Sequence, residues 1–356
     1  MPSRLVQSQK TAKPLAGHIA VVAGATRGAG RGIARALGEA GATVYCTGRS
    51  IPGHPSPYQR RETIHETADM ITAEGGKAIA VQVDHTVESE VKAFFDRIHR
   101  DHGRLDVLAN SVAGMDPMMA QWASFWKTDL TNGEAILRQA LFSHIITAKY
   151  AAPIMIRRRR GLIVEVTDGD MLLSGGNVLV QAVKLGLKGL AATMASDLRK
   201  HRVAAIAITP GFLRSEMMLE GFGVTEANWR DYGKKDKNWL ESETPLFVGR
   251  AVAALAQDPN VLKRSGDLVS SWEIGRECGF TDVDGRRPDW GTWEMELPPS
   301  FRTWFVDELS HHADWMRLLS QRADRFLARL TKPASSGPNK AKSASARKKT
   351  PRRPRR

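Results

Sequence analysis

The stretch that decides the fold is Ala23-Gly24-Ala25-Thr26-Arg27-Gly28-Ala29-Gly30. It follows an apolar run, 18–23, that reads as a buried strand, and it leads into a helical pattern over 31–40 with Ile33, Ala34 and Leu37 on one face. Glycine allows a tight turn between strand and helix. It also lets backbone N–H groups approach a pyrophosphate at the helix N-terminus. A glycine string alone is weak evidence, but here the strand before it and the helix after it supply the context a dinucleotide site needs.

The rhythm continues outward from there. Strands are expected at 42–47, 77–83, 105–109, 162–166, 203–208 and 267–270. Helices are expected at 60–74, 87–100, 134–157 and 178–200. Continuous apolar strands separated by helices predict an α/β fold: a Rossmann doubly wound parallel sheet of about seven strands with helices on both faces. Two segments break the pattern, 115–132 and 212–243, and each follows the carboxyl end of a strand, where open α/β sheets bind ligands.

The expected organisation is a disordered N-terminal segment (1–14), the Rossmann domain (15–297), C-terminal amphipathic helices (298–330) and a disordered basic tail (331–356). Ten of the 52 Lys and Arg residues lie between Lys332 and Arg356, where there is no acid, so the rest sets 42 bases against 38 acids. Such a tail reads either as a solvated appendage or as a contact for nucleic acid or another polyanion. No run of about 18 consecutive apolar residues suggests a membrane span. The polar N-terminus and the mere two cysteines, Cys46 and Cys278, fit a cytoplasmic protein. His311-His312 near Asp314 lack the partners of a metal set, so no metal is expected.

The end of the second expected strand, Val44-Tyr45-Cys46-Thr47-Gly48-Arg49, carries no acid that could hold the ribose 2′-hydroxyl of NAD. Arg49, with Arg27 in the glycine turn, would instead pair with a 2′-phosphate, which points to NADP.

The spacing Gly24-x-x-x-Gly28-x-Gly30 resembles the short-chain dehydrogenase/reductase family. Asp84 after the third strand, Leu105 to Gly114 and the turn Pro210-Gly211-Phe212-Leu213-Arg214-Ser215 resemble it further. Thr281 to Arg286 and the long C-terminal part are similar to one branch of that family. The resemblance implies an oxidoreductase acting on a carbonyl/alcohol pair, in a dimer or tetramer that pairs the two long helices between subunits. It implies cofactor contacts from Gly24, Thr26, Arg27, Gly28, Ala29, Gly30, Arg49, Asp84, Asn110, Lys184, Pro210, Gly211, Leu213 and Ser215.

One element departs from the pattern. The family delivers a proton through a tyrosine four residues before a lysine. Here Lys184 is in place, but Val180 stands at the tyrosine position. Thr167 falls where the family has its substrate-orienting serine. Arg138 aligns with the family's helix asparagine. Asp168, if buried beside apolar surface, is the first candidate for a substitute proton donor, and Tyr232 on the later loop is the second. Three readings stay open: an enzyme with Lys184, Thr167 and Asp168 as catalytic residues, a catalytically weak NADP-binding sensor or scaffold, and a role dominated by the basic tail.

Overall fold

A computed structural model describes residues 13–54, 60–113, 125–128, 130, 133–169 and 177–295. The chain divides into two compact units, Met1–Met295 and Glu296–Arg356. The expected C-terminal helices, the basic tail and most of segments 1–14 and 115–132 lie outside the described residues.

Seven strands form one sheet: β1 Ile19–Ala23, β2 Thr43–Gly48, β3 Lys77–Gln82, β4 Val107–Asn110, β5 Gly161–Val166, β6 Val203–Thr209 and β7 Leu268–Ser270. All neighbours are parallel, in the order β3-β2-β1-β4-β5-β6-β7. The order reverses between β1 and β4, which opens a crevice at the carboxyl ends of those strands. Ala23 aligns with Thr47 on one side and Asn110 on the other, and Asn110 aligns with Glu165, so these four residues mark the floor of the crevice.

The strands are apolar because both faces are covered. β1 and β6 are buried along their whole length. On one face lie α1 (Gly28–Glu39), α2 (Ile64–Ala73) and α8 (Pro245–Gln257), with Ile33, Leu37, Ile64, Ile71, Val248 and Val252 in the core they form. On the other lie α3 (Glu88–His102), α4 (133–158) and α5 (Val178–Leu198), packed through Phe94, Phe95, Ile98, Ile154, Met155 and Leu198. α4 runs from 133 to 158 as Gly133–Leu137 and Ser143–Arg158 joined by a π-helical stretch, Arg138–Phe142.

The expected elements sit close to where the sequence places them; the differences are an earlier start for the first helix and several helices beyond β6 that were not expected. α1 starts at Gly28, because the glycine turn itself forms the first helical turn. α8 was not expected, although Pro245 at its first position and the apolar run behind it are ordinary helix signals. The segment 212–243 is not an irregular loop. It holds α6 (Glu216–Gly221), α7 (Trp229–Tyr232) and a 3₁₀ turn, Lys237–Glu241. After β7, a capping box at Ser270 and Glu273 starts α9 (Ser271–Cys278), and α10 (Trp290–Met295) follows. Val178–His201 is long and apolar enough to cross a membrane by length and composition. In the fold this stretch lies against β5 and β6.

Candidate functional site

The turn from β1 into α1 admits no side chain at two positions. A Cβ on Gly24, which has φ +82°, would come within 2.5 Å of the Ser111 carbonyl oxygen, and one on Gly30 would come within 2.2 Å of the Gly24 oxygen. The backbone therefore closes tightly on itself and leaves the amino end of α1 facing the crevice. Arg27 at the N-cap makes no side-chain capping bond, and the first turn of α1 contains no acid. An outside anion takes the position instead: Gly28 N–H donates to Oε2 of Glu216 at 2.7 Å. A carboxylate held there shows that the donor geometry suits anionic oxygens such as those of a phosphate. Thr26, Arg27 and Ala29 are half-buried around the same turn.

At the end of β2, Arg49 is held in place and is not a loose loop residue. Its Nη1 lies 3.8 Å from Asp84 and its Nη2 donates to Gln139 at 2.9 Å. Asp84 in turn accepts from the backbone and hydroxyl of Thr86. Arg49 and Asp84, named separately in the sequence, thus form one unit at the rim of the crevice.

Below the crevice floor is a buried polar network. Asn110 Nδ2 donates to Glu165 Oε1 at 2.8 Å, and the other Glu165 oxygen lies 2.5 Å from His144 Nδ1. His144 Nε2 meets the Val112 carbonyl at 2.9 Å. Asn110 was expected to touch a cofactor. Its side chain is instead turned into the core, where Nδ2 braces β5 and Oδ1 has no hydrogen-bond partner. His85, next to Asp84, is also buried. It joins Thr47 at 2.8 Å to Thr147 at 2.9 Å, and burial followed by the nearby His144 lowers its pKa to about 3.

Val180, at the expected tyrosine position, and Lys184 both lie on α5. Val180 is buried against Ile136, Ala140, Val183 and Leu187, in an apolar cluster between α4 and α5. Lys184 follows one turn later and is half-buried. Thr167 is buried and donates its hydroxyl to the backbone carbonyl of Lys184 at 2.9 Å, so that hydrogen is already engaged. Asp168 corrects the sequence reading: it is exposed, and the burial that was to keep its carboxyl neutral is missing. Arg138 opens the π-helical stretch of α4 and donates to the Thr86 carbonyl at 3.1 Å. Tyr232 packs edge-to-face on Phe222 and tilted against Trp239, so its ring anchors the loop instead of hanging free as a lid. Trp122 lies outside the described residues, and Trp126 is largely exposed.

After β6, Gly211 N–H donates to Glu243 Oε2 at 3.0 Å, and Ser271 donates to the same oxygen at 2.5 Å. Burial pushes the Glu243 carboxyl up to about 8. Leu213 bridges to Glu243, and Ser215 caps α6 through Met218 N–H. Arg214, fully buried, packs 3.9 Å from the centre of the Trp229 ring and donates to the Ser242 carbonyl at 2.7 Å. Glu165, Glu216, Glu243, Arg214 and His85 were all missed by the sequence reading. Glu165 alone carried a clear signal, as a lone acid inside the apolar strand Leu162-Ile163-Val164-Glu165-Val166. Among the described residues no group of three or more His, Cys, Asp or Glu could hold a metal ion.

Comparison with known proteins supplies the family. Residues 18–222 match the short chain dehydrogenase family. The chain belongs to the short-chain dehydrogenases. Dehydrogenase/reductase SDR family member 1 of Mus musculus is 36% identical over 278 residues, covering 77% of this chain and 85% of that protein. A putative short-chain alcohol dehydrogenase from Sinorhizobium meliloti 1021 shares the fold, with TM-score 0.59, 23% identity and coverage of 73% of this chain and 97% of its own. A metagenomic short-chain oxidoreductase solved in complex with NADP has TM-score 0.53 and 26% identity, covering 69% of this chain and 94% of its own. Short-chain dehydrogenases are oxidoreductases that bind a nicotinamide cofactor.

Proposed function

We propose that this short-chain dehydrogenase binds NADP(H), and that its turnover of a carbonyl/alcohol pair is slow because no proton donor stands at position 180. The observation that carries the cofactor choice is Arg49 at the end of β2, where no acid is present, braced against Asp84 at 3.8 Å. The metagenomic neighbour solved with NADP supports the same choice. The glycine turn would receive the pyrophosphate, Arg27 and Arg49 the 2′-phosphate, and the segment Pro210 to Ser215 the nicotinamide end, with Lys184 on the nicotinamide ribose. The cofactor, when bound, supplies the hydride.

What remains for the chain is to orient the substrate and move a proton. Val180 cannot carry one. Thr167 donates to Lys184, so it can only accept from a substrate hydroxyl. Asp168 is exposed, outside the apolar surroundings expected of a substitute donor. The apolar packing of Val180 favours a second reading, a nucleotide-dependent sensor or scaffold with residual turnover. Exposed Phe142, Ile145 and Val178 on α4 and α5 support pairing of these helices between subunits. The basic tail would add contact with polyanions, and truncation after Leu330 removes it. We place the protein in the cytoplasm.

Carbonyl-dependent oxidation of NADPH, compared between the wild type and Val180→Tyr, tests the reading. Little turnover in the wild type and at least about a hundredfold more in the variant is expected, the usual contribution of a positioned acid. Equal and rapid turnover in both would place the proton elsewhere, and loss of it in Asp168→Asn would identify that group.

A further inference from the structure

α6 carries Glu216 and Glu220, four residues apart and so on one helical face. Both point at the dinucleotide half of the molecule. Glu216 accepts Gly28 N–H through Oε2 at 2.7 Å and meets Arg31 through Oε1 at 3.1 Å. Glu220 meets Arg60 at 2.6 Å. Arg31 is only 7% exposed, and its other nitrogens are fixed by Glu66 at 2.7 Å and Thr67 at 3.2 Å. Its guanidinium is therefore already positioned for an anion at the end of α1. Gly28, as the first residue of that helix, has no intrahelical acceptor for its N–H. The positive end of α1 is thus neutralised by a carboxylate from the segment that follows the Pro210-Gly211 turn.

We propose that α6 is a strap across the crevice. Glu216 occupies the anion position on Gly28, and NADP(H) binds by displacing it with its pyrophosphate. This rests on the NADP(H) reading above. One N–H cannot serve both anions, and two anions at that spacing repel each other. Binding therefore requires the strap to open, and the measured affinity falls by the fraction of molecules in which it is closed. Arg214, buried and clamped on Trp229, marks the fixed end of the strap. Nucleotide entry is thereby coupled to release of residues 216–221.

The test uses the full chain and two ligands: NADPH, which has a pyrophosphate, and adenosine 2′-phosphate, which has none. Glu216→Gln is expected to tighten NADPH binding about tenfold while leaving adenosine 2′-phosphate unchanged. Glu220→Gln, which loosens the strap without touching Gly28, is expected to shift NADPH in the same direction by about twofold to threefold. In the nucleotide-free protein, Glu216→Gln should also speed amide hydrogen exchange in 24–32 and 213–222. A wild type that binds NADPH, with Glu216→Gln binding equally or more weakly, overturns the strap and leaves Glu216 a helix cap. Unchanged exchange in both segments overturns it as well. If no form binds NADPH, the NADP(H) reading fails and the strap fails with it.

Discussion

The carboxylate of Glu165 and the imidazole of His144 lie 2.5 Å apart, both fully buried under the crevice floor. The opposite ring nitrogen of His144 faces the Val112 carbonyl at 2.9 Å, an acceptor, so it carries a hydrogen. One proton then lies between Nδ1 and Oε2, and the pair is neutral as a whole whichever atom holds it. A buried pair of this kind tolerates an isostere but not the loss of one member.

Glu165→Gln keeps an acceptor for Asn110 and a donor for His144, and should cost less than about 1 kcal/mol in urea unfolding. His144→Ala leaves Glu165 buried without its partner and should cost about 3 kcal/mol or more. Equal losses from the two changes would contradict the shared-proton network.

His85 sets the acid side of the stability profile. Its pKa falls from 6.5 to about 3 in the fold, by burial first and His144 second. Between those values the unfolded chain binds a proton that the folded one refuses. Stability is therefore lost as pH falls from 6.5 towards 3, by up to about 1.4 kcal/mol per pH unit. In His85→Asn that slope should be shallower by about one proton when unfolding is followed across the same range.

Glu243 acts on the alkaline side. Its carboxyl rises from 4.5 to about 8, mainly through burial, with Asp282 adding to the rise and Ser271, Gly211 and Arg214 opposing it. The folded state keeps a proton that the unfolded chain releases, so this group's contribution is full below 4.5 and is lost as pH rises through 8. Glu243→Gln should flatten the decline in stability between pH 6 and 8. An unchanged decline would mean that the carboxyl is ionised in the fold.

Arg214 holds the segment 212–243 by stacking on Trp229 and by donating to both oxygens of Ser242. Lysine lacks the planar fork for this. Arg214→Lys should lower stability by about 2 kcal/mol and speed proteolytic cleavage within 216–242. Cleavage at the wild-type rate would show that the clamp does not hold the segment.

The sheet was legible in the sequence because its strands, buried on both faces, are continuous apolar runs, and because Gly24, Gly28 and Gly30 occupy positions where a Cβ collides or φ turns positive. Arg49 and Asp84 were legible as single residues, though nothing in sequence spacing could show that they pair across β2 and β3. The acid network was hidden for the same reason: Asn110, His144 and Glu165 meet only after parallel strands align. Asp168 was named on the condition that it be buried beside apolar surface, but the chain leaves the covered sheet after Thr167 and Asp168 is exposed in the bend that follows. Glu216 was invisible because its partner Gly28 lies 188 residues earlier in the chain.

The most direct test of the account is equilibrium binding of NADPH and NADH to the purified protein, followed by nicotinamide fluorescence. Micromolar binding of NADPH, with NADH weaker by at least about tenfold, is the expected result, and Arg49→Ala should remove most of the difference. Equal affinity for the two nucleotides would contradict the role of Arg49, and binding of neither would contradict the nucleotide site itself.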